Sequence, residues 1–268
     1  MASAPQAQLP LFYKDLMPLN SRDHGKWQAR IVDKAAWVVN QHAVPITTDE
    51  FVQAQRHFPI VFSDGDNSVP LALMGLNEGI NVYFDNEGKI LEDIYVPAYV
   101  RRYPFMLARL EQGSETMSLC FDPSSDIVGE FTGEKPLFEG EQASPHTQEL
   151  LSFCQSFEEA GMRTQQFMEE LTKAELLIDG EVAIQQGERP DQPFVYRGFK
   201  MINQEKLKEL RGDQLRKWND NGVLPLIFAH LFSLDLMRII FAKQTMQGKG
   251  PGVQGDAATA QAVPAPAV

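Results

Sequence analysis

The chain has 268 residues, 43% of them hydrophobic and 22% charged, an ordinary globular balance with enough apolar residues for a sizeable core. Its formal net charge is −12, and a diffuse negative field disfavours nucleic acid and anionic membranes, because both are polyanions. The two cysteines, Cys120 and Cys154, sit among apolar residues on unrelated segments. That fits buried free thiols in a reducing compartment and offers no metal-ligand spacing.

Residues 1–20 are rich in Ala, Pro and Gln and are expected to be mobile, with Leu9, Leu11, Phe12 and Tyr13 able to dock on the body of the protein. They carry no basic n-region and no apolar h-region. A Sec signal peptide is therefore not expected, which favours a cytoplasmic location, with signal-independent export to the cell surface left open. Ala36–Val39 reads as a short strand. Thr47 followed by Glu50 is a capping box, opening a short helix through about Arg56. Four strand-like runs follow, at 58–62, 70–75, 80–84 and 89–94, separated by Asp64-Gly-Asp-Asn, Asn77-Glu-Gly and Asp85-Asn-Glu-Gly. That spacing predicts an antiparallel meander, and the alternation of Ile80, Val82 and Phe84 predicts one buried face.

The segment Tyr95-Val-Pro-Ala-Tyr-Val-Arg-Arg-Tyr-Pro-Phe105 holds three tyrosines, two arginines and two prolines. Pro97 suits the first turn of a helix. Val96, Tyr99, Val100, Tyr103, Leu107 and Leu110 fall on one helical stripe, and Pro104 is expected to kink or divide that helix. Met117–Phe121 is a further strand candidate. Ser144 and Pro145 read as cap and first position of a long helix to about Leu177, with Gly161 a point of division. Val182–Ile184 and Phe194–Ile202 read as a hairpin. Asn203 caps a helix that Gly222 stops. The run Val223–Ala242 is about the length of a membrane span, but Asp235 and Arg238 would each cost about 2.5–3.5 kcal/mol at a span's centre. A core helix with those two side chains paired is favoured over membrane contact. Residues 246–268 form a low-complexity tail of Ala, Pro and Gly.

The sequence carries no phosphate-binding loop, no dinucleotide fingerprint, no nucleophile elbow and no H-E-x-x-H. None of the five histidines has a second one three or four residues away, so no helical metal pair is expected. His230 lies in the most apolar helix, where a shifted pKa or a satisfied core histidine are both compatible with the sequence. The acidic groups Asp85, Glu87, Glu92 and Asp93, and Asp122 with Asp126, read as turn chemistry before cation ligands. Arg101 and Arg102, flanked by Tyr95, Tyr99 and Tyr103, are the leading candidates for a ligand site. Guanidinium forks suit carboxylates and phosphates, and tyrosines add stacking faces and hydroxyl donors. The competing arrangement pairs Arg102 with acidic residues of the long helix and leaves Arg101 in solvent.

The runs Phe58–Phe62, Leu71–Leu76, Gly79–Asp85 and Tyr95–Phe105, with Leu119–Asp122, Gly133–Phe138, Phe199–Leu207 and Gly222–Leu234, resemble the SapC family over about 35–245. The resemblance implies a bacterial protein associated with surface-layer systems and carries over no catalytic residue. An unrelated peptide-transporter permease shares the name, and its several spans have no counterpart here.

Together these readings predict an α+β protein: an antiparallel β-meander packed with several helices, including a long central helix and an apolar C-terminal one. A single domain over 21–245 is expected between mobile ends at 1–20 and 246–268. No cofactor, no metal and no catalytic residue is assigned. The expected function is that of a soluble accessory or interaction protein with a protein or peptide partner, without nucleic acid and without membrane insertion. The alternatives are an enzyme or enzyme partner acting on a peptide or amino acid at a pocket built from Tyr95, Tyr99, Arg101, Arg102, Tyr103 and His230, and a structural surface-layer subunit.

Overall fold

The computed structural model describes residues 9–110, 116–186 and 189–250. The outer parts of both expected tails, 1–8 and 251–268, and the hairpin tip at 187–188 lie outside the described residues. Helices and antiparallel sheets are both present, so the protein is α+β. Its residues group into two compact units, one of 9–35 with 98–159 and the other of 36–97 with 160–250.

The first unit is built from short antiparallel pieces. Ser118–Phe121 lies between Met17–Pro18 and Phe105–Ala108, and Gln28–Ala29 lies between Val128–Gly129 and Lys135–Pro136. Phe121 is fully buried, with the rings of His24 and Trp27 against it at 5.2 and 5.6 Å. The helical stripe expected to run from Val96 to Leu110 is present only as helix Ala98–Arg102, after which Phe105–Ala108 is a strand. Pro104 supplies no N–H to continue the helix and biases Tyr103 away from helical dihedrals. The Tyr103–Pro104 peptide is cis. Beyond it, burial alternates with the period of a strand rather than a helix.

The second unit is organised on a five-stranded antiparallel sheet. Its order is Leu177–Asp179, Lys200–Ile202, Ile60–Phe62, Pro70–Leu73, Ala43–Pro45. Ile60, Val61 and Phe62 are all fully buried. A strand covered on both faces reads as an unbroken apolar run, and burying each such side chain contributes about 1.5–3 kcal/mol. Ile60–Phe62 and Pro70–Leu73 pair as expected. The next two expected strands do not form: residues 80–94 contribute only an isolated bridge between Phe84 and Ile90. The places beside the central pair go instead to strands distant in sequence. Ala36–Val38 is a turn of 3-10 helix rather than a strand.

The close approach of Gly75 to the Ile80 carbonyl explains the turn after Pro70–Leu73. A Cβ at Gly75 would overlap that oxygen. The Thr47 capping box forms, with the Glu50 carboxylate accepting from the Thr47 N–H at 2.8 Å.

The long helix runs without a break through Gly161, from Pro145 to Lys173. Its cap is Ser144, whose Oγ accepts from the Thr147 N–H at 3.2 Å. The hairpin is Val182–Gln186 with Arg189–Tyr196, while Lys200–Ile202 leaves it to join the large sheet. Asn203 caps Gln204–Lys208, and a separate helix, Gly212–Asp220, ends before Gly222 at φ +81°, a backbone that glycine adopts without strain. The apolar C-terminal element is two helices, Val223–Ser233 and Leu236–Met246. They meet at Leu234 and Asp235, both right-handed helical, through the tighter bonds Met237 N–H to Leu234 O and Arg238 N–H to Asp235 O. Asp235 and Arg238 do not form the expected side-chain ion pair; both are exposed.

Candidate functional site

The boundary between the two units falls inside the tyrosine- and arginine-rich segment, after Pro97. Tyr99, Arg101, Arg102 and Tyr103 belong to the first unit, and Tyr95 and His230 to the second. Each group is described within its own unit.

In the first unit, helix Ala98–Arg102 turns Arg102 inward and Arg101 outward. Arg102 is 5% exposed. Its guanidinium carbon lies 4.4 Å from the Tyr99 ring centroid, 4.3 Å from Phe157 and 5.8 Å from Tyr13. The negative faces of the three rings hold the cation electrostatically, at up to about 2 kcal/mol for a desolvated contact. Glu158 is the carboxylate beside it, with Nη1 to Oε1 at 3.6 Å, and the Arg102 Nε–H has no hydrogen-bond partner among the described residues. Burial pushes the Glu158 carboxyl up, and Arg102 opposes that shift. Burial also raises the Cys154 thiol to about 12, with Arg102 again pulling the other way. A thiol so placed is protonated at neutral pH and unreactive.

The aromatic box continues into the N-terminal segment. The Tyr13 hydroxyl donates to the Phe105 carbonyl at 2.7 Å, and the Tyr99 hydroxyl to that of Leu11 at 3.2 Å. Phe12 packs on Tyr99 and Tyr103 at 5.5 and 6.2 Å between centroids. To do so it takes φ +82°, a conformation that bulky residues rarely adopt; ring packing offsets the strain. The Leu9–Tyr13 cluster thus docks by its aromatic residues. Burial raises the phenols of Tyr13, Tyr99 and Tyr103, so all three remain neutral donors.

Arg101 is exposed and lies over the Phe153 ring at 5.1 Å. Phe153 also lines a shallow depression of ≈ 590 Å³ at the start of the long helix, with Gln148, Glu149 and Ser152. This surface offers a cation on an aromatic ring beside amide, hydroxyl and carboxylate groups, which can hold a polar ligand by hydrogen bonds. Arg102, by contrast, lies behind its rings and acts on the fold.

In the second unit, the Tyr95 hydroxyl donates to Glu50 Oε1 at 2.9 Å, and Glu50 is the carboxylate of the capping box. His230 is fully buried. Its Nδ1 lies 2.8 Å from the Ile60 carbonyl, and its Nε2 accepts from the Ile202 N–H at 3.2 Å. That pattern fits the neutral imidazole with the proton on Nδ1. Burial lowers its pKa to about 4, against the opposing pull of the Ile60 bond. The imidazole therefore ties two strands of the large sheet together.

One buried polar residue had no prominence in the sequence: Gln244 accepts from the Leu76 N–H at 2.6 Å and donates to Asn77 and Lys249. Asp122 accepts from the Lys14 and Ser124 N–H groups at 2.7 and 2.8 Å, and Asp85 takes the N–H groups of Glu87 and Lys89, the turn chemistry expected of them. Among the described residues no group of three or more His, Cys, Asp or Glu side chains is arranged to hold a metal ion. The exposure of Phe228 and Phe232 was equally hidden, because an apolar run gives no sign of which face stays uncovered.

Comparison with known proteins adds one finding. Residues 19–239 match the family model described as SapC. No curated protein and no solved structure matches the chain.

Proposed function

Because the chain belongs to the SapC family, we propose that it is a non-catalytic accessory protein of a bacterial envelope or surface-layer-associated system, and that it works by binding another protein. The observation that supports this reading is an aromatic pair on helix Val223–Ser233. Phe228 and Phe232 stack with centroids 5.8 Å apart and are 41% and 70% exposed. The opposite side of the same helix carries the buried Ile227, His230 and Ser233. A helix so firmly fixed presents its outer rings rigidly, and rigid exposed aromatics are the side chains that dominate binding energy when a partner covers them.

The test is capture from the native bacterium with the full chain, comparing wild type with a Phe228→Ser/Phe232→Ser variant of equal thermal stability. Capture of one envelope protein by wild type, lost in the variant, supports the proposal. Equal capture by both, or none by either, overturns it. A second reading has its own observation. Val223–Met246 is long and apolar enough to cross a membrane by length and composition, with mean hydropathy 1.8 and only 39% of its most apolar window buried. Flotation of the wild-type chain with uncharged lipid vesicles, abolished by the same double variant, would replace the protein partner with a lipid surface.

A further inference from the structure

The last two helices of the second unit carry one line of exposed side chains along their outer side. Phe228, Phe232, Asp235, Ile239, Ala242 and Met246 are all exposed, and they follow one another at alternating steps of four and three residues. That is the spacing of a seam between two helices. A straight α-helix drifts from such a line by about 20° per heptad. The tighter bonds at Leu234 and Asp235 wind the chain further per residue, in the sense that offsets the drift. The inner side of the same helices holds the buried Ile227, His230, Met237 and Ile240, which fixes the outer line toward solvent. Four large apolar side chains of that line, Phe228, Phe232, Ile239 and Met246, stay exposed, and an exposed apolar stretch of this kind marks a surface for association.

The order of side chains along the line identifies what covers it. Its bulk lies at one end, in Phe228 and Phe232, and its slim and adaptable members, Ala242 and Met246, lie at the other. Two opposite charges sit at its middle, Asp235 and Arg238, both exposed and not paired with each other. A second copy laid antiparallel, with the two-fold axis level with Met237, faces each end with its complement. Phe232 then meets Ala242 of the second copy, Phe228 meets Met246, an aromatic–thioether contact, and Asp235 comes within reach of Arg238. An isologous interface repeats each contact twice, so both charges of both copies find a partner. A lipid surface or a purely apolar helix would leave them without one, at a desolvation cost. A charged pair in an otherwise apolar seam also fixes register and orientation.

We propose that a second copy of this chain lies antiparallel on this face and covers Phe228 and Phe232 in the free protein. The proposal rests on the reading of the Phe228–Phe232 face as a protein-binding surface and adds its regulation: another protein reaches the two rings by displacing the second copy.

The experiment is sedimentation velocity of the purified full chain from micromolar to near-millimolar concentration, with the charge reversals Asp235→Arg and Arg238→Asp, each of wild-type thermal stability. Wild type is expected to dimerise within this range. In each single variant like charges meet twice across the axis, and the dimer dissociation constant is expected to rise about a hundredfold. Mixing the two variants in equal amounts restores opposite charges at both contacts, and a mixed dimer of about wild-type strength is expected. A wild type that stays monomeric at the highest concentration, single variants that dimerise as wild type does, or a mixture no stronger than its components would overturn the proposal. These outcomes are separate from capture in the native bacterium. A dimer with no envelope protein captured overturns the envelope-partner reading and leaves the dimer standing, whereas capture by a monomeric wild type overturns the dimer alone.

Discussion

His230 and Ile60 are joined across the core of the second unit by a 2.8 Å hydrogen bond from the imidazole Nδ1–H to the Ile60 carbonyl. Ser233, one helical turn on, accepts from the Ile60 N–H at 2.8 Å and donates to the His230 carbonyl at 2.6 Å. Both backbone groups of one fully buried strand residue are therefore satisfied by side chains of one helix. This is the accounting that a buried backbone requires, and it explains why an otherwise apolar helix keeps a histidine and a serine on its inner face.

The His230 contact sets a pH dependence. The imidazole titrates at about 4 in the folded protein against 6.5 for the ordinary group, so the unfolded chain binds more protons between those values. Stability is complete above pH 6.5 and is lost as pH falls toward 4, by about 3 kcal/mol from this group. Denaturant unfolding of wild type and His230→Gln across that range should show a steeper acid loss in wild type. Parallel curves would mean that the imidazole is not held neutral.

Arg102 should behave as a structural cation. Arg102→Ala is expected to cost about 3 kcal/mol, because it empties the aromatic box and leaves Glu158 without its counter-charge. Arg101→Ala, at an exposed position, is expected to stay within about 0.5 kcal/mol. Thermal or denaturant unfolding of the two single variants separates these roles, and similar losses in both would refute the assignment.

Gly75→Ala tests the turn after Pro70–Leu73. The new methyl meets the Ile80 carbonyl oxygen, and the backbone must shift, at a cost of about 2 kcal/mol. Gly161→Ala serves as control. Open space surrounds the Cβ there and the position lies inside a helix, so a stabilisation of up to about 1 kcal/mol is expected.

Cys120 and Cys154 are free and buried, and burial raises both thiols. An aromatic disulfide reagent should label neither in the native protein at neutral pH and both in denaturant. Fast native labelling would show that the box around Arg102 opens.

Much of the local structure was legible. Ser144, Asn203 and the Thr47–Glu50 pair act as caps because short polar side chains satisfy the N–H groups that every helix start leaves open. Pro104 ends its helix for a reason internal to proline. The run 80–94 misled, because alternation shows that a segment could lie half-buried but not that a neighbour is free to pair with it; Lys200–Ile202 and Ala43–Pro45 took the places beside the central strands instead. Of the candidate site residues, Tyr99, Arg102 and Tyr103 do lie together with Tyr13 in one aromatic box. The sequence left open whether Arg102 would face a ligand or Glu158, because both arrangements bury the same stripe of helix.

Composition, capping residues, proline positions and the long apolar runs determined by themselves that this would be an α+β protein with a long capped helix and an apolar C-terminal element. These features depend on propensities and periodicities that act over a few residues. Tertiary structure alone decided the strand order, the division of the tyrosine- and arginine-rich segment between two units, the burial of Arg102 and the exposure of Phe228, Phe232 and Arg238. Each of those is settled by which distant surface covers a residue, and that depends on the competition among all apolar faces of the chain for a limited interior.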